Sequence, residues 1–364
     1  MKKTWITIFE RYENFHFYKD VGQLPLHVQS YLNFDVEIWR KENGSYIEEK
    51  EIKIKSFACS NTGTKVSLRL IFQIAKKSRS ITVLNLFHFR LYSLIYAAIY
   101  KLCNFKGKVV IKCDGSDGFF PFSGKKLKYK ILYALIAKFR IVDLVLAEHL
   151  SLFDFFKGKK IPALHCPNGV SKDYYQLDME PKKNITPSII FVGKCGDSRK
   201  NAEEVVKAVS ELKFDCKVYF LGGETESFRN WFKAWINNFP ENIKERFVFL
   251  GYVTDPKEVI SYFDMAHVFL MSSKHEGYPL SLAQAAWRGC FPILSLGSGG
   301  TDMKNAGCAE VYNNFEELVQ KLTENLTDLK STEQLGRKTR MYALENNDWR
   351  VKVKKIQEQL NYEW

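Results

Sequence analysis

Short runs of β-branched and aromatic residues alternate along this chain with stretches whose apolar positions recur every three or four residues. The runs at 4–9, 35–39, 53–57, 81–87, 108–113, 144–148 and 162–166 read as strands. Between them, 20–32, 66–77, 89–103, 124–140 and 150–156 read as helices. The alternation resumes with strands at 188–192, 216–221, 247–250, 267–271, 291–296 and 309–312. Strand–helix alternation predicts an α/β protein with parallel sheets covered on both faces, and each half is long enough to be doubly wound. The polar stretch 171–187 follows the turn signal Pro167-Asn168-Gly169 and separates the halves. The expected domains are therefore 1–170 and 188–345, with 171–187 as linker and 346–364 as a last helix packing back toward the first domain.

Composition narrows the class. Of 364 residues, 46% are hydrophobic and 26% charged, which is globular material. No run of about 18 charge-free apolar residues predicts a spanning helix. The basic tip Met1-Lys2-Lys3 meets an acid already at Glu10, too soon for the apolar stretch of about 7–15 residues that a signal peptide needs. A cytoplasmic protein is expected. The eight cysteines are scattered without a C-x-x-C pair, so they read as small buried hydrophobes. The net charge of +13 is unevenly placed: residues 1–187 carry +14 and the remainder −1. Such asymmetry concerns partners rather than fold.

Two segments in the second half carry chemistry. In Val192-Gly193-Lys194 through Lys200-Asn201 a strand ends, a polar loop follows and a helix begins, with Glu204 three residues after Asn201 in capping-box spacing. Lys194 and Lys200 are placed to converge on an anion near a helix N-terminus, unless they are merely solvated. In the segment Glu276-Gly277-Tyr278-Pro279, an acid sits at the end of a strand, and Pro279 and Gly289 bracket the helix that follows. A carboxylate there can accept from sugar hydroxyls while helix amides face a phosphate; the plainer role is to complement the helix dipole.

The order strand–Gly193-Lys194–Lys200-Asn201–helix, then Phe249-Leu250-Gly251-Tyr252-Val253, then Ser272 through Glu276-Gly277-Tyr278-Pro279, resembles the family-4 retaining glycosyltransferases of GT-B fold, the glycosyl transferases group 1. Pro167-Asn168-Gly169 looks like that family's interdomain turn. The resemblance implies two Rossmann-like domains with parallel sheets facing across a cleft, and a nucleotide-sugar donor, a UDP- or GDP-sugar, held mainly by the second. It implies Lys194 and Lys200 on the donor diphosphate, Glu276 with Gly277, Tyr278 and Pro279 around the sugar, and Tyr252 and Val253 at the base. The family's second acid is replaced here by Gln284, which keeps an acceptor oxygen but loses the charge toward the ribose.

In the first half, Lys19 and Gly22 fall where the family has a glycine-containing loop against the diphosphate, though a capped helix start would look the same. His88 ends a strand where related enzymes present a histidine to the sugar, and Asp114 ends another on the acceptor side. Asp114 and Asp117 could suggest a metal, but the resemblance implies no divalent ion and no other required cofactor. Catalysis of this kind rests on fixed positive groups facing the departing diphosphate, here Lys194 and Lys200. Retention would follow from front-face attack in which the acceptor hydroxyl passes its proton to that phosphate.

The basic helix at 124–140, with Leu127, Ile131 and Leu135 on one side, and the Tyr-rich 90–101 suggest contact with an anionic membrane at its inner face. The expected partners are a nucleotide sugar, a glycan or lipid-linked acceptor and that surface, in the synthesis of cell-envelope polysaccharide or glycolipid. Two other readings remain: a non-catalytic GT-B subunit, suggested by Gln284, and a basic nucleic-acid-binding protein, disfavoured because its lysines are dispersed and no recognised motif appears.

Overall fold

In the first half, β1 (Thr4–Ile8) is buried along nearly its whole length, as its unbroken apolar sequence requires of a strand inside a parallel sheet. The structure is a computed structural model that describes residues 3–42, 51–57, 66–114, 127–176 and 180–360. The loop 115–118 with Asp117, the basic pair Lys125 and Lys126, and Cys59 lie outside these residues.

After β1 come α1 (Asp20–Leu32), β2 (Asp35–Lys41), β3 (Lys53–Phe57), α2 (Leu68–Lys77), β4 (Val83–Phe87) and α3 (Leu91–Cys103). There follow β5 (Lys108–Cys113), α4 (Leu127–Lys138), β6 (Leu144–Ala147), α5 (Leu150–Gly158) and β7 (Ala163–His165). These strands form one parallel sheet in the order β3-β2-β1-β4-β5-β6-β7. The chain winds outward from β1 to β3, returns to place β4 beside β1, and then winds the other way. That reversal between β1 and β4 is the position where such sheets bind ligands, beyond their carboxyl ends.

The second half repeats the plan. Its elements are β8 (Ser188–Val192), α6 (Ala202–Glu211), β9 (Lys217–Leu221), α7 (Glu226–Ile236), α8 (Glu241–Lys244), β10 (Phe247–Gly251), α9 (Pro256–Met265) and β11 (Val268–Met271). They continue as α10 (Leu280–Trp287), β12 (Phe291–Ser295), α11 (Thr301–Asn305), β13 (Glu310–Tyr312), α12 (Phe315–Thr327) and α13 (Leu329–Asn346). The parallel order β10-β9-β8-β11-β12-β13 reverses between β8 and β11. Each sheet has apolar clusters on both faces, as double winding demands.

By contacts the chain divides into Met1–Pro167 with Asp348–Trp364, and Asn168–Asn347; the stretch 171–187 thus falls in the second unit. The final helix α14 (Trp349–Gln359) packs on α1, putting Trp349, Val353, Ile356 and Leu360 among Trp5, Val21, Leu24 and Val28. Beneath the carboxyl ends of the first sheet, Lys112 is fully buried, its Nζ 2.7 Å from Glu148 Oε1 and donating also to the Cys166 carbonyl. Burial pulls the Lys112 pKa down, but Glu148 and Asp20 outweigh it and hold the ammonium above its ordinary value.

Three local expectations need correction. The tyrosines of the 90–101 stretch are structural: Tyr96 and Tyr100 are buried, and their hydroxyls donate to Glu10 and to the Ile81 carbonyl. Asn201 does open α6, but without a capping box. Its backbone is left-handed at φ 54°, and its amide donates to the Glu204 carboxylate, which also accepts from Tyr312. Gly22 is not in a loop but in the first turn of α1. A Cβ there would come 2.4 Å from the Phe17 carbonyl oxygen, so it is the approach of residues 14–18 that calls for glycine.

Trp349→Ala should cost the first unit about 3–5 kcal/mol, the range for deleting a large buried aromatic, read as a lower urea midpoint by circular dichroism.

Candidate functional site

In the second unit, the two loops singled out from sequence leave β8 and β11, the strands flanking the winding reversal. Three sets of bonds fix them together. The Ser272 hydroxyl donates to the carbonyls of Lys200 and Asn201 at 2.9 Å each, and the Lys274 N–H donates to the Arg199 carbonyl. The segment after β12 closes on the same place: Ser295 Oγ donates to the Ser273 carbonyl, Ser298 Oγ to that of Met271, and the Glu276 N–H to that of Gly297. Gly297 has to be glycine, because a Cβ there would lie 1.8 Å from the Lys274 carbonyl oxygen.

On this frame Lys200 Nζ stands 2.7 Å from Glu276 Oε1, and Arg199 reaches Oε2 at 3.6 Å. Lys200 and Glu276 are mostly buried, at 14% and 11% side-chain exposure, whereas Arg199 is 47% exposed. Arg199 also lies 3.7 Å from Asp197 Oδ2, so the paired charges here are two carboxylates and two cations. Glu276 runs directly into α10, whose first amides, Leu280 and Ser281, have no acceptor among the described residues, while those of Leu282 and Ala283 bond to the Pro279 carbonyl. Free helix amides beside these cations favour an anion, and the neighbouring carboxylate offers an acceptor for hydroxyls.

The other expected residues are distributed around this core. Lys194, on the same loop, is exposed and has no ion-pair partner among the described residues. Gly277 and Pro279 are half-buried, and Pro279 caps α10 rather than entering it. Tyr278 corrects the expectation that its side chain lines a sugar. It is 2% exposed, and its hydroxyl shares hydrogen bonds with Asn347, whose amide also holds the Asn168 carbonyl. The Tyr278 carbonyl accepts from Asn168, so Pro167-Asn168-Gly169 anchors this loop. Tyr252 is exposed just after β10, its ring against Gly223, and Val253 is half-buried beside it. Gln284 is half-buried on α10, and its side-chain amide makes no bond among the described residues.

Arg199 was missed. The spacing of Lys194 and Lys200 does not point to it, although a basic residue directly before Lys200 in a short loop is a visible signal. The serine-glycine run 295–300 was likewise unread, and its role depends on the pairing of β11 with β12.

In the first unit, Lys19 caps α1 and its carbonyl takes the Gly22 N–H, so that amide is already bonded. His88 follows β4 with φ 63°, and its Nδ1 is paired with Asp114 Oδ1 at the end of β5. Burial pushes the Asp114 pKa up, yet the bond and charge of His88 outweigh it and keep the carboxyl below its ordinary value. Asp20, opening α1, is pushed up to about 6 by burial, with Lys112 opposing and Glu148 and Asp114 reinforcing the rise.

Comparison with known structures places this architecture. A glycosyltransferase from Rickettsia africae ESF-5 shares it with TM-score 0.75 at 16% identity, covering 100% of both chains. The lipopolysaccharide outer core galactosyltransferase WaaB matches with TM-score 0.71 at 15% identity, and Anabaena HepE in complex with UDP with 0.71 at 12%, each over 99% of both chains. At such identities the likeness establishes the fold, which is GT-B. Residues 186–328 match the family model described as Glycosyl transferases group 1. No curated protein matches the chain.

Gly297→Ala should destabilise the second unit by about 1–3 kcal/mol through overpacking. Gly158→Ala, where an added Cβ meets nothing within 4 Å, should leave the melting temperature unchanged or slightly higher. Differential scanning calorimetry of both variants checks the contrast.

Proposed function

We propose that this protein is a glycosyltransferase that takes a sugar from a nucleotide-sugar donor and passes it to a glycan or lipid-linked acceptor. The observation that carries this reading is the Lys200–Glu276 pair, joined by Arg199, at the winding reversal of the second unit beside the uncommitted amides of α10. Lys200, with Lys194 and Arg199, would hold the donor diphosphate and stabilise the charge that gathers there as the anomeric bond breaks. Glu276 would accept from hydroxyls of the transferred sugar, and Gln284 from the ribose. The family match over 186–328 supports the donor assignment, and HepE structures carrying UDP and UDP-glucose favour a UDP-sugar over a GDP-sugar. Retention of anomeric configuration is the reading favoured by the motif resemblance to family 4.

A peripheral position on an anionic membrane is supported by α4. That helix buries Tyr133 and Ile136 while Leu127, Ile131 and Leu135, with Phe139 beyond its end, are exposed among the exposed Lys130, Lys138 and Arg140. Among the described residues no helix is long and apolar enough to cross a membrane. An exposed apolar stripe bordered by cations suits the lipid interface, each cation adding about 1 kcal/mol near an anionic surface.

Lys200→Ala should weaken UDP binding ~10–100-fold, the range for a lost charge-assisted contact, while Glu276→Ala chiefly lowers turnover. Calorimetric titration and UDP release from UDP-glucose separate the two effects. Equal binding and turnover in both variants and the parent would refute the donor site. Vesicles containing phosphatidylglycerol should retain the protein on flotation at low salt and release it at high salt. Failure to float at any salt removes the membrane assignment.

A further inference from the structure

The second unit has a cavity at the end of its sheet opposite the Lys200 and Glu276 loops. Those loops leave the carboxyl ends of β8 and β11, whereas this cavity, of about 670 Å³, lies at the amino ends of β8, β9 and β11. Residues 182–187, which lead into β8, form one wall; Lys217 opens β9, and Ser261, Asp264 and Met265 come from α9. That wall is fixed in place. The Asn184 N–H donates to the Met265 carbonyl, and its side-chain amide donates to the Tyr219 hydroxyl. Three of the lining residues are lysines and one is an acid. The acid is already taken, because Asp264 accepts from both Nε and Nη2 of the buried Arg288. Lys183 has no ion-pair partner among the described residues. Its Nζ donates to the carbonyls of Phe263 and Arg288, at 3.2 and 2.9 Å, and lies 3.7 Å from Cys290 Sγ. These carbonyls belong to the last turns of α9 and α10, and a helix carboxyl end favours a cation. Burial nonetheless pulls the Lys183 ammonium below its ordinary value, with Cys290 and Asp264 opposing. A cation short of counter-charge therefore sits in the wall of an open cavity. Two more ammoniums reach the same space with hydrogens to spare. Lys182 is exposed and makes no bond among the described residues, and Lys217 donates only to the Glu245 carbonyl.

We infer that this cavity binds a soluble phosphorylated small molecule of about hexose-phosphate size. Its volume falls in the range of small-molecule sites, about 300–1,000 Å³. The phosphate accepts from Lys182 and Lys217. Lys183, whose hydrogens are spent on neutral acceptors, contributes charge alone. Lysine ammoniums act as point charges, so a phosphate dianion gains more from three of them than a singly charged carboxylate does. The hydroxyls of Thr186 and Ser261, both on exposed residues, border the cavity and suit the polyol body of such a ligand. This site shares no residue with the Lys200–Glu276 pair and stands whether or not the chain transfers sugar.

The test titrates the full chain calorimetrically with glucose 6-phosphate, inorganic phosphate and glucuronate. Glucose 6-phosphate should bind, inorganic phosphate should compete with it, and glucuronate should bind more weakly than either. The double variant Lys182→Ala with Lys217→Ala should lose about 10–100-fold in affinity for glucose 6-phosphate, the range for lost charge-assisted bonds. It should keep the parent's melting temperature and match the parent toward UDP. Lys183→Met should weaken glucose 6-phosphate too, and the exposed pair carries the test if that buried substitution does not fold. Lys200→Ala should leave glucose 6-phosphate binding unchanged. The inference is overturned by a parent that binds no phosphate, by a double variant or a folded Lys183→Met with parental affinity, or by glucuronate binding equally well. Binding that disappears with Lys200→Ala overturns it as well, because the phosphate then occupies the other end of the sheet. Vesicles of phosphatidic acid supply the lipid arm. Flotation that requires Lys182 and Lys217, without binding of glucose 6-phosphate, would assign the cavity to a headgroup and contradict a soluble ligand.

Discussion

Two loops of the second unit meet because Lys200 and Glu276 are opposite charges 2.7 Å apart in a mostly buried setting. Neither could be left there alone, since an unpaired charge out of water is costly. The pair is not left to side-chain flexibility. Ser272 holds the backbone on one side of it, and the carbonyl of Gly297 holds the N–H of Glu276 on the other. A long lysine side chain that normally wanders is thereby fixed in one place, which is what preorganised stabilisation of a developing charge requires. Arg199 adds a second, more exposed cation to the same carboxylate and is itself shared with Asp197.

Both units gather charged side chains at the same topological place. In the second, the Lys200 and Glu276 loops leave β8 and β11; in the first, His88 leaves β4, the strand paired with β1. A doubly wound sheet parts its connecting helices at that point, so the carboxyl ends of the two central strands are left uncovered. The first unit differs in its electrostatics. It gathers Asp20, Asp114 and Glu148 around one buried lysine and one histidine.

Much of the fold was legible because buried parallel strands are written as contiguous apolar runs. The runs at 53–57, 108–113 and 188–192 coincide with β3, β5 and β8, and the remaining strands differ by a residue or two at their ends. The Glu276 loop was readable because proline and glycine punctuate α10, with Gly289 in left-handed conformation after it. What escaped depended on contacts distant in sequence. Tyr278 resembles a binding residue until Asn168 and Asn347 are seen to claim it. Gly22 resembles a phosphate loop until Phe17 is seen against it. The pairing of His88 with Asp114 follows only from the register of β4 against β5. The outward face of α4 was unreadable because that helix is apolar on more than one side, so periodicity could not say which side meets the sheet.

The central claim is that Lys200 and Glu276 bracket the donor. A crystal structure of the chain grown with UDP-glucose tests it most directly. The account requires the diphosphate within hydrogen-bond distance of Lys200 Nζ and the opening amides of α10, and the glucose hydroxyls against Glu276. Nucleotide bound elsewhere, with the Lys200–Glu276 pair making no contact to it, would contradict the account.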